Sequence, residues 1–461
     1  MTSAVADPQR TLTRPPGPSG KPIVGSLLDA WDNPLELMMK SFARHGAVSH
    51  FRFLWIPYTL IADADAAHHV LVSNAKAYEK SPNYDGLKIL LGQGLLTSEG
   101  EFWKRQRKLS QPAFHREKLA GFVDTMAGCA ADLVREWRGL DLRSPIDVHR
   151  QMMRLTFRVV GKTLLSVDLD GEAKAVGDAL DVALVWTNDY IESLVRIPPW
   201  VPTKKNREFL QAKETLDRLV TKVVVDRRAQ MARGESVPND LLQMLLEARD
   251  GDTGEAMSDE QLKNELLTLV LAGHETTANA LTFALYLLAQ HPEVRNRVRD
   301  EAQRALGEAL PTIAALPKLT YTTQVIEETL RLYPPAWCFE RVAIEDDVVG
   351  GYAVPKGTIV GIAPYVLHRN PRYFPDPERF DPERFNRATP SERPKHAYLP
   401  FGGGARTCIG NAFAMMEMQA ILPVIVRAFD LTPVEGYTLE LDPSVTMRPV
   451  GGMPMRASPR D

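Results

Sequence analysis

Cysteine is scarce in this sequence, and its scarcity limits what the protein can be. The chain of 461 residues contains three cysteines, Cys129, Cys338 and Cys408. Three scattered cysteines are too few for a disulfide framework, which fits a reducing compartment. We therefore expect a cytoplasmic protein.

Long apolar runs and a strong net charge are also missing. No stretch approaches the roughly 18 apolar residues that a membrane-spanning helix needs. The first fourteen residues lack the apolar core of a signal peptide, and we expect residues 1–14 to form a disordered tail. A net charge of −3 gives the whole chain no electrostatic footprint for nucleic acid. We expect neither a membrane anchor nor a nucleic-acid partner.

The interior carries no feature that would divide it into domains. Apolar residues make up 44% and charged residues 25%, as in ordinary globular proteins. Length alone would suggest about three domains, but no Ser/Gly-rich linker or long charge run separates them. The sequence therefore predicts one large, mostly helical domain over residues 15–461, with no further module fused to it.

The segment with the clearest chemical signal is residues 401–410, Phe-Gly-Gly-Gly-Ala-Arg-Thr-Cys-Ile-Gly. Three consecutive glycines favour a tight loop that a bulky ligand could approach closely. From Asn411 the composition becomes helical, so Cys408 is expected just before a helix N-terminus, where a thiol pKa is lowered. An ordinary buried cysteine is the alternative, since free cysteine is among the most buried residue types.

A second signal lies inside a long apolar helix. Ser258 and Gln261 form a predicted capping box, and apolar residues then continue almost unbroken to Leu288. Residues 272–277, Ala-Gly-His-Glu-Thr-Thr, place polar groups in this helix, where they are costly unless paired. A zinc-protease H-E-x-x-H signature would need histidine at position 278, which is alanine. Thr276 lies four residues after Ala272, so its hydroxyl can bond to that carbonyl.

Together these motifs resemble those of the cytochrome P450 family. The pattern Phe-x-x-Gly-x-Arg-x-Cys-x-Gly is met by Phe401, Gly404, Arg406, Cys408 and Gly410. The distal-helix motif, a Trp-x-x-x-Arg pair and a Glu-x-x-Arg pair occur in the family's order. The resemblance implies a mainly α fold with minor β sheets, a triangular prism in which a long central helix crosses the distal face of haem.

The resemblance also implies a haem b cofactor and the residues that bind it. Cys408 would be the axial thiolate ligand of the iron, a ligation that favours O–O cleavage. The other cofactor-binding residues implied are Trp103, Arg107, Ala272, Gly273, Arg341, Phe401, Gly404, Arg406 and Gly410. Among these, Phe401 would shield the sulfur, and Trp103, Arg107, Arg341 and Arg406 would contact haem propionates.

Catalytic and structural roles follow from the same resemblance. Glu275 and Thr276 are expected to relay protons while the O–O bond of dioxygen is cleaved. Glu328, Arg331 and Arg384 are expected to form a buried structural cluster. Losing one member of such a cluster would cost roughly 3 to 5 kcal/mol, because a partner charge is left unpaired.

The substrate pocket is the least specified part of the site. The implied lining residues are Leu90, Leu91, Thr268, Ala272, Ala336 and Cys338. Residues 81–97 show no clean period and are read as an irregular loop that caps the pocket, although Leu90 and Leu91 fit an ordinary core equally well. Residues 50–55 and 58–62 are predicted to pair as strands, and 352–360 and 445–456 to complete one minor sheet.

The predicted function is that of a soluble bacterial haem-thiolate monooxygenase. It would insert one atom of O2 into an apolar organic substrate, such as a fatty acid, terpenoid or steroid, by hydroxylation or epoxidation. Three cysteines cannot hold an iron–sulfur cluster beside the haem, so electrons would come from a ferredoxin or flavodoxin with its NAD(P)H-dependent reductase. The alternatives are a peroxide-driven peroxygenase and a non-catalytic haem sensor or carrier.

Overall fold

The computed structural model describes residues 13–167, 173–193, 195–251, 253–389 and 391–460. The protein is 56% helical with small sheets, which confirms the predicted mainly α class. Of the expected N-terminal tail, residues 1–12 lie outside the described residues.

The helices vary in length from single turns to a helix of 32 residues. In chain order they are α1 (Leu27–Asp32), α2 (Pro34–His45), α3 (Ala64–His68), α4 (Tyr84–Leu91), α5 (Gly100–Ser110), α6 (Arg116–Leu119), α7 (Val123–Arg138), α8 (Val148–Val160), α9 (Ala173–Glu192), α10 (Lys204–Ala232), α11 (Leu241–Glu247), α12 (Asp259–Gln290), α13 (Pro292–Leu306), α14 (Thr320–Leu332), α15 (Pro364–Leu367) and α16 (Asn411–Ala428).

Among the described residues, the strands are short and belong to four separate sheets. They are β1 (Val48–Phe53), β2 (Ile56–Ile61), β3 (Tyr78–Lys80), β4 (Ile146–Asp147), β5 (Phe339–Ala343), β6 (Asp347–Val349), β7 (Tyr352–Val354), β8 (Ile359–Ile362), β9 (Phe429–Pro433), β10 (Leu441–Pro443), β11 (Met447–Pro449) and β12 (Pro454–Pro459). The orders are β1-β2-β8-β5-β3, β4-β12-β9, β6-β7 and β10-β11.

The chain forms two compact units. The smaller unit contains the described residues of 1–82, 337–379 and 391–407. Its five-stranded sheet begins with the antiparallel β1–β2 pair, as predicted, and β2 continues into a parallel pair with β8. Tyr58 is buried against β8, where a Cβ on Gly361 would lie 1.8 Å from the Tyr58 hydroxyl. Glycine at position 361 therefore permits this packing.

The larger unit contains the described residues of 83–336, 380–390 and 408–461 and is built around α12. The Ser258 hydroxyl accepts the Gln261 N–H, and the Gln261 side chain accepts the Ser258 N–H, so the predicted capping box is confirmed. α12 then runs to Gln290 and packs against α8, α10, α14 and α16. Such an enclosed helix explains why apolar residues occupy nearly all of its faces.

Two predictions about local structure are wrong. Residues 84–91 form the helix α4 within the segment read as an irregular loop, because eight residues are too few for a clear helical period. Residues 352–360 and 445–456 do not complete one sheet. β7 pairs with β6, β8 lies in the five-stranded sheet, β11 pairs with β10, and β12 pairs with β4 and β9. Strands this short do not specify their partners in sequence.

Candidate functional site

Cys408 lies two residues before the Gly410 cap of α16, at the predicted position in front of a helix. Its side chain has exposed surface. Protein nevertheless surrounds the sulfur closely enough that desolvation raises the pKa of the thiol, against the opposing effects of the Gly410 N–H and Arg107. The predicted lowering of this pKa is wrong for the protein alone, because burial outweighs both favourable groups.

The residues before Cys408 form a tight loop that belongs to the smaller unit. Gly404 has a φ of +66°, and a Cβ there would lie 2.1 Å from the Leu71 carbonyl oxygen. Only glycine fits this position without a shift of the backbone. The Thr407 hydroxyl donates to the Gly404 carbonyl at 2.7 Å, while Phe401 and Arg406 are half-buried.

The motif in α12 coincides with an opening in an otherwise buried helix. From Asn264 to Leu288, a range that the structure describes throughout, every residue is buried except Ala272, Gly273 and Thr276. These three positions are neighbours on one side of the helix. The predicted oxygen-handling residues therefore have a surface that a ligand can reach.

The hydroxyl of Thr276 donates to the Ala272 carbonyl at 2.7 Å, four residues earlier in the helix. A Cβ on Gly273 would lie 3.5 Å from Val160 Cγ2, so glycine here also borders α8. Buried His274 donates from Nε2 to the Met153 carbonyl at 3.0 Å, and burial lowers its pKa to about 4. His274 is thus a neutral residue that fastens α12 to α8.

Glu275 is buried, and burial raises the pKa of its carboxyl group. A hydrogen bond with Thr446 and the charge of Arg448 oppose this shift. The nearest guanidinium nitrogen of Arg448, Nη1, lies 4.0 Å from Glu275 Oε1. A carboxyl group in this setting can bind and release a proton without direct contact with bulk water.

Trp103 and Arg107 lie on α5, in the same unit as Cys408. Trp103 is buried and Arg107 is half-buried. Desolvation lowers the pKa of the Arg107 guanidinium, and its interaction with Cys408 acts in the opposite direction. The structure thus brings Arg107 into the electrostatic neighbourhood of the sulfur.

Two further predicted residues lie in the smaller unit, Arg341 on β5 and Cys338 immediately before that strand. Arg341 Nη1 donates to the Glu340 carbonyl at 2.8 Å. Cys338 Sγ lies 3.5 Å from the Tyr58 hydroxyl, and burial raises the pKa of its thiol. Cys338 is therefore an uncharged side chain at neutral pH.

The remaining pocket candidates belong to the larger unit and differ in exposure. Leu90 and Leu91 are fully buried on α4, whereas Ala336 is exposed. Thr268 is buried, and a Cβ on Gly94 would lie 2.1 Å from its hydroxyl oxygen. Backbone of the 92–95 loop thus covers α12 at Thr268, one turn before the opening at Ala272.

Glu328, Arg331 and Arg384 come together in the larger unit. Arg331 Nε and Nη2 donate to the two carboxylate oxygens of Glu328 at 2.6 and 2.7 Å, and neither side chain has exposed surface. Arg384 Nε lies 3.4 Å from Glu328 Oε1. The Asp381 N–H also donates to Glu328, at 2.9 Å, so that this cluster ties residues 381–384 to α14.

The residues present in the larger unit fit a haem. An exposed thiol can ligate iron, and Arg107 beside it supplies a cation suited to a carboxylate such as a propionate. The side chains that open on α12 are small, which suits the approach of a flat ring.

Sequence reasoning missed three residues close to this site. Thr446 and Arg448 lie on a C-terminal hairpin whose sequence carries no catalytic motif. Glu265 is fully buried on α12, accepts the Leu95 N–H at 3.0 Å, and has its pKa raised to about 7 by burial. A charged residue three positions before Thr268 in an apolar run was the available signal for Glu265.

Comparison with known proteins identifies relatives over nearly the whole chain. A family model described as Cytochrome P450 matches residues 15–453. The chain is 35% identical over 446 residues to cyclooctatin synthase of Streptomyces melanosporofaciens, covering 96% of this chain and 95% of the relative. It is also 35% identical over 459 residues to cyclooctat-9-en-7-ol 5-monooxygenase of the same organism, covering 99% and 97%.

A more distant relative is human cytochrome P450 4V2. Identity is 33% over 434 residues, covering 87% of this chain and 80% of the relative. Within the part of the chain that the structure describes, no helix is long and apolar enough to cross a membrane.

Proposed function

The chain belongs to the cytochrome P450 family and is a haem-dependent monooxygenase, and from this premise we propose roles for the residues of its site. Cys408 ligates the haem iron, with Arg107 and Trp103 at a propionate. The haem is proposed to be haem b. The observation that carries these assignments is the opening of the buried helix α12 at Ala272, Gly273 and Thr276, where the family's motif stands.

The bound haem supplies the activation of dioxygen, and thiolate ligation favours cleavage of the O–O bond. The chain's own residues position groups and supply protons. The Thr276 hydroxyl donates to the Ala272 carbonyl, with 2.7 Å between the two oxygens, until it turns toward the open face of α12. Glu275 then replaces the proton that Thr276 passes on, because its pKa is raised and its carboxyl holds a proton more readily than an exposed one.

Other residues keep roles that rest on the resemblance. Arg341, Phe401, Gly404 and Arg406 are proposed to contact the cofactor. At position 404 the close approach of the Leu71 carbonyl leaves no room for a side chain, so glycine is needed there for the loop itself.

The substrate is proposed to be an apolar organic molecule. P450 monooxygenases use O2, a hydrophobic substrate and redox partners. Among the relatives, one is named for the oxidation of cyclooctat-9-en-7-ol, and we propose a substrate of that general character, largely hydrocarbon with few polar groups. The pocket residues proposed are Leu90, Leu91, Thr268, Ala272, Ala336 and Cys338.

The redox partners are proposed to be a ferredoxin or flavodoxin with an NAD(P)H-dependent reductase, and the location the cytoplasm. Free Cys129, Cys338 and Cys408 support a reducing compartment. The family match from 15 to 453 supports the prediction that residues 15–461 act as one P450 domain.

A turnover experiment with labelled oxygen tests this function. Haem-loaded protein, a ferredoxin, its reductase and NADPH are incubated with 18O2 and a library of apolar compounds, preselected by the spectral shift on binding. We expect one 18O atom in the product and one in water. Products that carry oxygen from water, or that form with hydrogen peroxide but never with the reductase system, would contradict the proposal.

Of the two alternatives, the peroxide-driven reaction is not favoured. The chain keeps Glu275 and Thr276, the acid and alcohol that deliver protons after reduction. A non-catalytic haem sensor or carrier does not agree with a relative named as a monooxygenase that aligns over 99% of this chain.

A further inference from the structure

The β10–β11 hairpin reaches the proposed proton-handling residue Glu275 from outside α12. Its Thr446 forms a hydrogen bond with the Glu275 carboxyl group and accepts the Asn279 Nδ2–H at 3.2 Å. Its Arg448 places Nη1 at 4.0 Å from Glu275 Oε1. One hairpin therefore supplies both a hydroxyl group and a cation to a buried carboxyl group.

Arg448 also faces a second, more accessible carboxylate. Its Nε donates to Asp442 Oδ2 at 2.9 Å, and the Ser444 hydroxyl donates to Asp442 Oδ1 at 2.5 Å. The side chains of Arg448 and Asp442 are 25% and 32% exposed, whereas that of Glu275 is 5% exposed. The guanidinium group thus stands between a buried and a solvent-exposed carboxylate.

Further acidic groups face this pair from α9. Asp181 interacts with Arg448 and with Glu275, and burial raises the pKa of the Asp181 carboxyl group. Glu192 lies near Asp442, and burial raises its pKa as well. Several carboxyl groups therefore compete for one cation.

His149 of α8 also lies near Arg448 and Asn279. Its Nε2 lies 2.9 Å from Asn279 Oδ1, and burial lowers its pKa, with Arg448 acting in the same direction. His149 is thus a neutral side chain, and Arg448 is the cation that interacts with Glu275 here.

We propose that Arg448 is a positioning residue that exchanges between Asp442 and Glu275 and so connects the buried carboxyl group to solvent protons. This inference rests on the proposed function, in which Glu275 passes protons to Thr276. The hairpin lies outside the family motifs described above.

The exchange follows from charge. When Glu275 gives its proton to Thr276, a buried carboxylate remains that needs a partner, and the guanidinium 4.0 Å away moves toward it. The bond from Arg448 to Asp442 then lengthens. A proton from solvent water neutralises Glu275 again, and Arg448 returns to Asp442. Each cycle moves one proton from water to Glu275 and one from Glu275 to Thr276, with no net change in the protein.

The first test follows the ionisation of Glu275 in the haem-loaded protein. Its protonated carboxyl group gives an infrared C=O band, which is the band that Glu275→Gln removes. We expect Arg448→Gln to shift the midpoint of this band's titration to higher pH. Arg448→Lys, which keeps a cation, should return the midpoint most of the way to its native value. Arg456→Gln is the matched control, since Arg456 is an exposed arginine on β12. An unchanged midpoint in Arg448→Gln overturns the inference.

The second test measures product formed per electron pair. We expect Arg448→Gln to lower this ratio about tenfold and to enlarge its solvent isotope effect. This is less than the roughly 10²- to 10⁴-fold contribution of a direct acid or base, because Arg448 acts only through Glu275. If Glu275→Gln leaves the ratio unchanged, the proposed function of Glu275 fails. The infrared titration would still show whether Arg448 interacts with the Glu275 carboxylate. If Glu275→Gln lowers the ratio but Arg448→Gln does not, the inference about Arg448 fails alone.

Discussion

At the scale of single residues, Thr276 differs from Thr282, another threonine of α12, in exposure rather than in its hydrogen bond to the helix backbone. Thr282 makes the same bond, from its hydroxyl to the carbonyl four residues earlier, also at 2.7 Å. Thr282 is fully buried, whereas Thr276 lies at the opening of the helix. If the Thr276 hydroxyl only stabilised the helix, its removal should affect the protein in the same way as removal of the Thr282 hydroxyl.

We predict that Thr276→Ala keeps haem binding but diverts electrons to hydrogen peroxide. Product per NADPH consumed should fall about tenfold or more, because a positioned proton donor is lost. The measurement is the ratio of product to peroxide in the reconstituted system. Thr282→Ala serves as the control and should keep the native ratio. Equal ratios in native protein and Thr276→Ala would rule out the role of Thr276.

Residues with a fixed spacing could be predicted, and residues brought in by tertiary structure could not. Cys408, Glu275 and Thr276 stand in short motifs whose spacing is visible in the chain. Arg448 reaches Glu275 only through the pairing of two three-residue strands, β10 and β11. The raised pKa of Cys408 depends on how closely the folded chain surrounds it, which no local pattern encodes.

At the scale of elements, the Glu328 cluster holds the 3-10 turn Pro382–Phe385 against α14. Burial raises the pKa of Glu328, while Arg331 and Arg384 oppose this shift. We predict that Arg331→Leu lowers the free energy of unfolding by about 3 to 5 kcal/mol, because it leaves a buried carboxyl group without its main partner. Urea denaturation measures the change.

The surface pair of Arg387 and Glu327 provides the matched control. The two side chains are 3.1 Å apart, and Arg387 is 80% exposed. Arg387→Leu should change the free energy of unfolding by less than about 1 kcal/mol. Similar losses in Arg331→Leu and Arg387→Leu would mean that burial of the cluster contributes little.

The contact between α12 and the 92–95 loop should depend on pH through Glu265. Its pKa is raised from 4.5 to about 7, so the folded state binds more protons than the unfolded state between these values. The free energy of unfolding should therefore fall by about 3 kcal/mol as the pH rises from about 4.5 to about 7. The difference between native protein and Glu265→Gln in urea titrations isolates this contribution. A pH-independent difference would contradict it.

Long elements were predictable from sequence, and short ones were not. The start of α12 is encoded by Ser258 and Gln261, and the run of apolar residues indicates its length. In contrast, α4 has eight residues, and most strands of the small sheets have three to five, too few for a periodic signal. Strand partners such as β8 for β2 are set by the packing of the smaller unit.

At the scale of the whole molecule, the order of the motifs along the chain indicates the family. Trp103 and Arg107, the α12 motif, Glu328 and Arg331, and the Cys408 loop follow one another as in the family, and the family match extends from 15 to 453. Motif order could be seen without a structure. The opening of α12 at three positions could not, because it depends on which faces other helices cover.

The most direct test of the account is the carbon monoxide difference spectrum of the reduced, haem-loaded protein. We predict the long-wavelength band of a thiolate-ligated haem in the native chain, its loss in Cys408→Ser, and its retention in Cys129→Ser, which changes a buried cysteine of α7. A Cys408→Ser protein that keeps this band would contradict the assignment of Cys408 as the iron ligand.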